Sequence, residues 1–296
     1  MVSARGLDRF IAEHRLPDAF RNTAIRCFEP LAAWLRRRLT NGTPFLLGVN
    51  GAQGTGKSTL AAYLALALDE SGPCNVATLS IDDFYLTKAE RLQLAKTVHP
   101  LLATRGVPGT HDVPMLSECL SRLRFLEKGQ RYRLPRFDKA ADDRADAASW
   151  PTVRGPVDLI ILEGWCVGSA AEAEAGLETP VNALEAMKDA DGRWRHYVNE
   201  RLATDYAEIF DRLDALVFLQ APGFDAILRW RVEQEQKLAA AAGASAAGIM
   251  DPDQVAEFTR YFERITRNNL DVIRSSADIV LELDEYHDCV ASHYRD

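Results

Sequence analysis

The strongest chemical signal in the sequence is a glycine-rich segment that ends in lysine and serine. It comprises Gly51, Ala52, Gln53, Gly54, Thr55, Gly56, Lys57 and Ser58, followed by Thr59. The segment fits the pattern G-x-x-x-x-G-K-[ST] at every fixed position. Glycines let consecutive backbone N–H groups converge on phosphate oxygens, because no Cβ atom stands in the way. Lys57 can then reach the β- and γ-phosphates, and the Ser58 hydroxyl can ligate magnesium. The segment therefore predicts a cradle for a magnesium–nucleoside triphosphate.

Acidic residues follow two other apolar segments and could complete such a site. Asp82 and Asp83 are adjacent, and Glu163 follows the run Leu-Ile-Ile-Leu. Phosphoryl transfer to an alcohol needs one carboxylate to accept the hydroxyl proton and others to hold magnesium. Glu163 is in the position of the acid that orders magnesium or its water, and Ser58, Asp82 and Glu163 are the candidate magnesium ligands. Adjacent strand residues point to opposite faces, so we expect at most one of the two aspartates to face the γ-phosphate, and the other could cap the following helix.

These residues need a scaffold, and the apolar pattern predicts one. Five short apolar runs are expected to be buried strands: residues 45–49, 76–81, 159–162, 215–219 and 279–283. Helical patterns separate them, at residues 113–126, 195–212, 224–238 and 252–267. Alternating strands and helices predict an α/β fold with a mostly parallel five-stranded sheet and helices on both faces. Parallel strands place ligands at their carboxyl ends, where the glycine-rich segment and the acids lie.

Chain length favours a single domain over residues 1–296. Residues 1–43 would form an N-terminal helical extension, and residues 44–296 the nucleotide-binding core. The extension looks helical over residues 7–39, with breaks near Pro17 and Pro30. An apolar stripe at helical spacing runs along it: Phe20, Ile25, Phe28, Leu31, Trp34 and Leu35. Two segments of biased composition, residues 140–149 and 239–248, could be solvated linkers or segments that close over a site.

Composition excludes several classes of partner. The sequence has 35 basic and 43 acidic residues, a net charge of −8, which argues against a nucleic-acid or membrane-surface partner. No apolar run approaches the roughly 20 residues that cross a bilayer, and the N-terminus lacks a signal-peptide pattern. Five cysteines without a C-x-x-C pair indicate reduced thiols, with no metal or disulfide framework. We therefore expect a cytoplasmic protein.

Four motifs together resemble the D-glycerate 3-kinases, a branch of the phosphoribulokinase, uridine kinase and pantothenate kinase group of P-loop kinases. They read G-A-Q-G-T-G-K-S, S-I-D-D-F-Y-L-T, R-G-V-P-G-T-H-D and L-E-G-W, within a similarity that spans residues 44–282. The resemblance implies a P-loop NTPase fold, Asp82 as catalytic base and Glu163 near the magnesium. It places Arg105, His111 and Asp112 in a loop that touches the acceptor. Read from the sequence alone, Thr110 or Asp112 would instead be the N-cap of the helix near residue 113.

Further acceptor contacts are expected from the same motifs and from a stretch that resembles P-x-Y-D-x-x-x-x-R of uridine kinases. The expected substrate-binding residues are Asp83, Tyr85, Arg136, Asp138 and Arg144, with Lys139 in the same stretch. A carboxylate acceptor favours a bidentate arginine, and hydroxyls favour a carboxylate partner. Each basic residue could equally be a solvated surface group.

The resemblance also implies a helical lid around residues 224–268. A lid arginine stabilises charge on the transferring phosphoryl group. Arg229 and Arg231 are two residues apart on one helix and so cannot share a face; we select Arg231 as catalytic. Trp230 and Trp165 are expected in the core. The tract 239–248 contains no basic residue where a lid is expected to carry some.

The sequence as a whole predicts an ATP- and Mg²⁺-dependent kinase for a small molecule, with D-glycerate as the expected acceptor. Two alternatives stay open. One is a kinase for a nucleoside, pantothenate or a sugar phosphate, although the H-P-D-A-F-D stretch usual in uridine kinases is missing. The other is a nucleotide-dependent switch NTPase. The preference for ATP over GTP and the oligomeric state are left open.

Overall fold

The computed structural model describes residues 1–39, 42–242 and 250–295, and a six-stranded sheet lies at the centre of this part. Its strands in spatial order are β10 (Cys289–Tyr294), β9 (Ile279–Leu283), β8 (Ala215–Gln220), β1 (Phe45–Gly51), β7 (Leu159–Gly164) and β2 (Val76–Ser80). All neighbours are parallel except β10, which pairs antiparallel with β9. Two small hairpin-like pairs lie outside this sheet: β3 (Arg131–Arg133) with β6 (Thr152–Arg154), and β4 (Phe137–Asp138) with β5 (Asp143–Arg144).

Helices connect the strands and cover the sheet. The described helices are α1 (Ala4–Glu13), α2 (Phe20–Thr23), α3 (Glu29–Arg36), α4 (Lys57–Asp69), α5 (Lys88–Thr97), α6 (Val113–Arg124), α7 (Glu174–Leu177), α8 (Ala183–Lys188), α9 (Arg193–Arg201), α10 (Ala207–Phe210), α11 (Phe224–Ala242) and α12 (Pro252–Ser276). Wide π-helical turns join α2 to α3 (Ala24–Phe28) and α9 to α10 (Leu202–Tyr206).

The sheet has a buried core on each face, as strand alternation requires. On β7, Ile160 and Leu162 pack into one core with α6 and α12, whereas Leu159 and Ile161 pack into the other with α4 and the N-terminal helices. A strand buried on both faces reads as a continuous apolar run, which is why β7 was recognisable in the sequence. The predicted α/β class with helices on both faces is confirmed.

The five predicted strands are present, and the sheet gains a sixth, β10, that was not predicted. Residue 81 was expected at the end of a strand, but Ile81 begins a 3-10 turn that runs to Phe84. In the N-terminal helices, Ile25 was assigned to the buried stripe and is instead 60% exposed. The π-helical turn at Ala24–Phe28 explains this difference, because it shifts the helical phase at that position.

The cysteine expectation is wrong for two of the five residues. Cys27, in the π-helical turn, forms a disulfide with Cys289 at the start of β10, across 262 residues of sequence. Cys74, Cys119 and Cys166 are free. Spacing along the chain gave no indication of the pair, because the fold alone brings the N-terminal helices beside the last strand.

The two segments of biased composition differ in outcome. Within residues 140–149, the chain forms β5 and a short 3-10 turn, Ala147–Ser149, so this part is an ordered portion of the β4–β5 hairpin. The tract 239–248 begins in the last turn of α11, and from residue 243 it lies outside the described residues. The second half of the predicted lid, α12, packs Phe262, Ile265 and Ile273 into the core. Within the described residues, no helix combines the length and the apolar character that a membrane crossing needs.

Candidate active site

The glycine-rich segment forms a tight loop between β1, which ends at Gly51, and α4, which begins at Lys57. Gly54 and Gly56 have φ angles of +82° and +90°, a region that side chains with a Cβ rarely adopt. Gly56 occupies the N-cap of α4 without a side chain that could bond the first helical N–H groups. These N–H groups and the positive end of the helix dipole are therefore directed at the loop, as an anion site requires.

Lys57 lies over its own loop. Its Nζ donates to the carbonyl oxygen of Ala52 at 2.9 Å. Burial lowers the pKa of Lys57 below its usual value, although the nearby carboxylates of Glu163 and Asp82 oppose the shift. An ammonium that bonds only to a loop carbonyl can transfer to phosphate oxygens by a change of rotamer.

Glu163 meets the start of α4 from the neighbouring strand. It pairs with Val49 in the β1–β7 register, is 7% exposed, and accepts a hydrogen bond from the Ser58 hydroxyl at 2.8 Å. A hydroxyl and a carboxylate are hard oxygen donors of the kind that magnesium binds. Two of the three predicted metal ligands, Ser58 and Glu163, are thus adjacent, and their chemistry fits a magnesium ion.

Asp82 lies at the same edge, because Ser80, two residues before it, pairs with Glu163 in the β2–β7 register. Its Oδ1 accepts from the Tyr85 hydroxyl at 2.8 Å, and its Oδ2 accepts from Lys139 Nζ at 2.6 Å. Burial would raise the pKa of Asp82, but the Lys139 ammonium and the Tyr85 hydrogen bond hold it below the usual value. The carboxylate is therefore ionised and faces the Lys57 side of the site.

Asp83 points elsewhere, as expected for the second aspartate, but for a different reason. The pair lies in a 3-10 turn rather than in a strand. Asp83 accepts from Arg136 at 3.1 Å and from the Phe137 backbone N–H at 3.3 Å. Burial raises its pKa despite the Arg136 charge. It does not cap the following helix, since Thr87 occupies that position in a capping box with Glu90.

His111 stacks on Tyr85, with ring centroids 4.5 Å apart, and is buried. The Tyr206 hydroxyl accepts from the Gly109 N–H at 3.0 Å and hydrogen-bonds with His111 Nδ1 at 2.6 Å. The other ring nitrogen, Nε2, has no hydrogen-bond partner among the described residues. Burial lowers the pKa of His111 to about 4, so the ring is neutral at pH 7.

Asp112 is the N-cap of α6, one of the two roles that the sequence left open, and its contact with the acceptor stays a prediction. Its Oδ1 caps α6 by accepting from the Met115 N–H at 3.0 Å, and its Oδ2 accepts from Arg144 at 2.9 Å. Thr110 instead bonds within the loop, to Gly106 N and Val107 O. A capped helix start and an ion pair together fix this loop beside the β4–β5 hairpin.

Arg105 and Asp138 also have partners within the protein. Arg105 pairs with Asp142, which pairs in turn with Arg91. Asp138 accepts from the backbone N–H groups of Ala140 and Ala141 and so closes the hairpin turn. The structure thus gathers the predicted acceptor residues around one hairpin, while Asp138 acts within the turn itself.

The two candidate lid arginines separate as helix geometry requires. Arg231 pairs with Glu235 and its side chain is 13% exposed, whereas Arg229 pairs with Glu285 and is 53% exposed. Trp230 between them is buried, and its Cβ would lie 3.1 Å from a Cβ placed on Gly54. Helix α11 therefore packs directly on the phosphate loop. A catalytic role for Arg231 stays a prediction.

Three contacts were not assigned a role from the sequence. Lys139 was noted in the uridine-kinase-like stretch without a role. Its ion pair with Asp82 forms only because the β4–β5 hairpin folds over the end of β2. Arg91 on α5 is fully buried, although an arginine on a polar helix is usually a surface residue. Tyr206 contacts His111 across 95 residues of sequence, and no local pattern indicates it.

A glycine loop joins β1 to α4, and carboxylates lie at the carboxyl ends of β7 and of its neighbour β2. This arrangement defines a P-loop phosphotransferase. Comparison with known proteins narrows the class, although no protein-family model matches the sequence. An uncharacterized kinase of Schizosaccharomyces pombe, mug58, is 35% identical over 235 residues, which cover 75% of this chain and 79% of the relative. A protein of Arabidopsis thaliana named D-glycerate 3-kinase, chloroplastic, is 33% identical over 65% of this chain and 41% of its own length.

A solved structure extends the similarity to the fold. The D-glycerate 3-kinase of Cryptococcus neoformans var. grubii superimposes with a TM-score of 0.72 at 26% identity, over 90% of this chain and 97% of that one. The chain belongs to the family of P-loop kinases that includes mug58, and it is similar to proteins named D-glycerate 3-kinase.

Proposed function

We propose that this enzyme transfers the γ-phosphoryl group of ATP to D-glycerate, which yields ADP and 3-phosphoglycerate. The hydrogen bond between Ser58 and Glu163 carries the proposal, because it brings the phosphate loop and an acid from the next strand into one oxygen-lined site. One sequence relative and one structural neighbour are named D-glycerate 3-kinase, and these names support the choice of acceptor.

The backbone N–H groups of the loop and Lys57 would hold the triphosphate and offset charge on its γ-phosphoryl group. Ser58, Glu163 and Asp82 are suited to hold Mg²⁺, which in such sites neutralises the β- and γ-phosphate oxygens. Asp82 would accept the proton of the acceptor hydroxyl while the hydroxyl oxygen bonds to the γ-phosphorus. The bond from the γ-phosphorus to the β-phosphate oxygen breaks, and ADP leaves.

Asp82 becomes an effective base only when Lys139 withdraws from it. The ion pair at 2.6 Å lowers the basicity of the carboxylate. Lys139 is 61% exposed and lies on the β4–β5 hairpin, so a bound anionic acceptor can draw it away without disturbing the core. The site is thereby silent until an acceptor arrives, which suits a kinase that must not hydrolyse ATP.

An anionic acceptor needs a local basic site, because the protein as a whole carries a net charge of −8. The hairpin region supplies Lys139, which pairs with Asp82, and three arginines, Arg105, Arg136 and Arg144, which pair with neighbouring carboxylates. This concentration of cations supports a small carboxylate more than a neutral nucleoside. A cytoplasmic location without nucleic-acid or membrane partners stays our prediction.

A coupled assay of ADP release tests the proposal. The panel holds both glycerate enantiomers, uridine, pantothenate and pentose phosphates, each with ATP or GTP and Mg²⁺. We expect turnover with D-glycerate and almost none without an acceptor. Strong turnover with another acceptor alone would reassign the substrate. Slow ADP release that ignores every acceptor would indicate a switch NTPase instead.

A further inference from the structure

Asp142 lies between two arginines that come from different parts of the chain. Arg91 on α5 donates from Nη2 to Asp142 Oδ2 at 2.9 Å and to the Asp142 carbonyl at 2.8 Å. Arg105 donates to Oδ1 of the same carboxylate. Burial would raise the pKa of Asp142, but the hydrogen bonds from Arg105 and Arg91 hold it below the usual value. The two guanidinium groups therefore form a receptor for an ionised carboxylate.

The Asp142 carboxylate does not satisfy all the donors of this receptor. Arg91 is 0% exposed, yet its Nε and Nη1 have no hydrogen-bond partner within residues 1–39, 42–242 and 250–295. A buried guanidinium normally bonds with most of its donors, since unpaired buried donors are unfavourable. A purely structural ion pair would not need to leave two of three nitrogens unbonded. Arg91 thus has two nitrogen donors that Asp142 does not satisfy.

The residue that fills the receptor belongs to the hairpin turn beside the proposed base. Asp142 has a φ of +54°, in the left-handed region, at the tip between β4 and β5. Lys139, three residues earlier, bonds to Asp82. A single turn therefore places a cation on the proposed base and an anion on the arginine pair.

The two ends of this arrangement are physically connected. The Phe137 ring lies 5.7 Å from the guanidinium carbons of both Arg91 and Arg105. It also packs edge-on against Tyr85 with centroids 5.3 Å apart, and the Tyr85 hydroxyl bonds to Asp82. Phe137 and Tyr85 thus link the arginine pair to the proposed base through direct contacts.

We propose that Arg91 and Arg105 form the carboxylate subsite of the acceptor and determine specificity for hydroxy acids, and that Asp142 fills this subsite until the acceptor displaces it. The inference rests on the proposed function and extends it. The acceptor carboxylate replaces Asp142, the hairpin turn shifts, and Lys139 leaves Asp82 with it. Carboxylate binding is in this way coupled to freeing of the base.

The test compares D-glycerate with glycerol, which keeps the primary hydroxyl and lacks the carboxylate. Steady-state kcat and KM are measured for the wild type, Arg105→Gln and Asp142→Asn. Arg122→Gln is the matched control, because Arg122 is an exposed arginine on α6, outside the site. We expect Arg105→Gln to raise the KM for D-glycerate about 10- to 100-fold, the range for loss of a charge-assisted hydrogen bond. The preference for glycerate over glycerol should fall by the same factor.

Asp142→Asn should act in the opposite direction, because the internal competitor loses its charge. We expect its KM for D-glycerate to fall about threefold or more. Arg91→Lys, which keeps the buried charge but loses the planar fork, should raise KM without unfolding the protein.

The outcomes separate the two proposals. A wild-type enzyme that is inactive on D-glycerate ends the proposed function. If the wild type is active on D-glycerate, the proposed function stands. This inference alone then fails if Arg105→Gln leaves KM unchanged, or if the variant lowers kcat at constant KM. Where glycerol turnover is too slow to measure, the KM and kcat values for D-glycerate decide alone.

Discussion

The phosphate loop and the acceptor region differ in whether the groups that would bind ligand are already paired within the protein. In the loop, the expected phosphate contacts are backbone N–H groups and Lys57, which bonds only to a carbonyl of the same loop. In the acceptor region, the carboxylates beside the predicted acceptor site already have partners of opposite charge, in the pairs Asp82–Lys139, Asp83–Arg136 and Asp112–Arg144. The nucleotide site is therefore preformed, whereas the acceptor must exchange partners with the protein.

This difference separates the kinetic effects expected from the two regions. Ligand affinity at a preformed site reflects the contacts made, but affinity at a self-paired site is the difference between new and old contacts. Changes in the loop should act on turnover. Changes in the acceptor region should act on KM, and some should improve it.

The largest effect is expected in the loop. Lys57→Ala should remove nearly all turnover, about 10³- to 10⁵-fold, the range for a cation that stabilises the transferring phosphoryl group. The fold should persist, because Lys57 is at the first position of α4 and its ammonium bonds to the Ala52 carbonyl of the loop itself. ADP release and thermal melting measure the two effects, with Lys88→Ala as the control. Retained activity would contradict the assignment of the loop.

Asp82→Asn tests the junction between the regions. We expect turnover to fall about 10²- to 10⁴-fold with little change in nucleotide affinity, since the amide cannot accept the hydroxyl proton. Asp83→Asn is the matched variant, one residue away and engaged by Arg136. It should have the smaller effect on kcat. If Asp83→Asn proved the more damaging, the roles of the two aspartates would be reversed.

The smallest effect concerns stability in the acceptor region. His111 has a folded-state pKa of about 4, below the ordinary value of about 6.5, so the unfolded chain binds the extra proton between these values. The contribution of neutral His111 to the free energy of unfolding is fully present above pH 6.5 and is lost as pH falls toward 4. From pH 7 to 5 this amounts to about 2 kcal/mol.

The measurement compares urea unfolding of the wild type and His111→Gln at pH 7 and pH 5. The wild type should lose about 2 kcal/mol more than the variant over this range. His14→Gln, at an exposed position, is the control and should behave as the wild type. Equal losses in the wild type and His111→Gln would show that the buried ring is not held neutral.

The sequence predicted the parts whose cause is local. The loop and the five parallel strands follow from short patterns, because a buried parallel strand is a continuous apolar run. β10 was missed because it is an edge strand with mixed polarity, Cys-Val-Ala-Ser-His-Tyr, whose pairing depends on β9. The disulfide of Cys289 with Cys27 was missed for a related reason, since only the folded chain makes these residues neighbours.

The sequence predicted which residues belong to the acceptor region, but not how their side chains pair. Arg105, Arg136 and Arg144 were named from motifs, and each proved to be near the hairpin. Their partners could not be named, because Arg105–Asp142 and Arg136–Asp83 join residues 37 and 53 positions apart. Side-chain pairing at such separations depends on how the hairpin folds over the sheet edge, which periodicity does not encode.

The contact between Trp230 and Gly54 has a mechanical consequence. Because the tryptophan lies directly on the phosphate loop and its indole N–H bonds to the Glu285 carbonyl at 3.0 Å, this residue is a fixed pivot for α11. The first turns of the helix cannot tilt without pulling the loop that holds the nucleotide. The predicted lid would therefore have to move at residues beyond Trp230, of which Arg231 is the first.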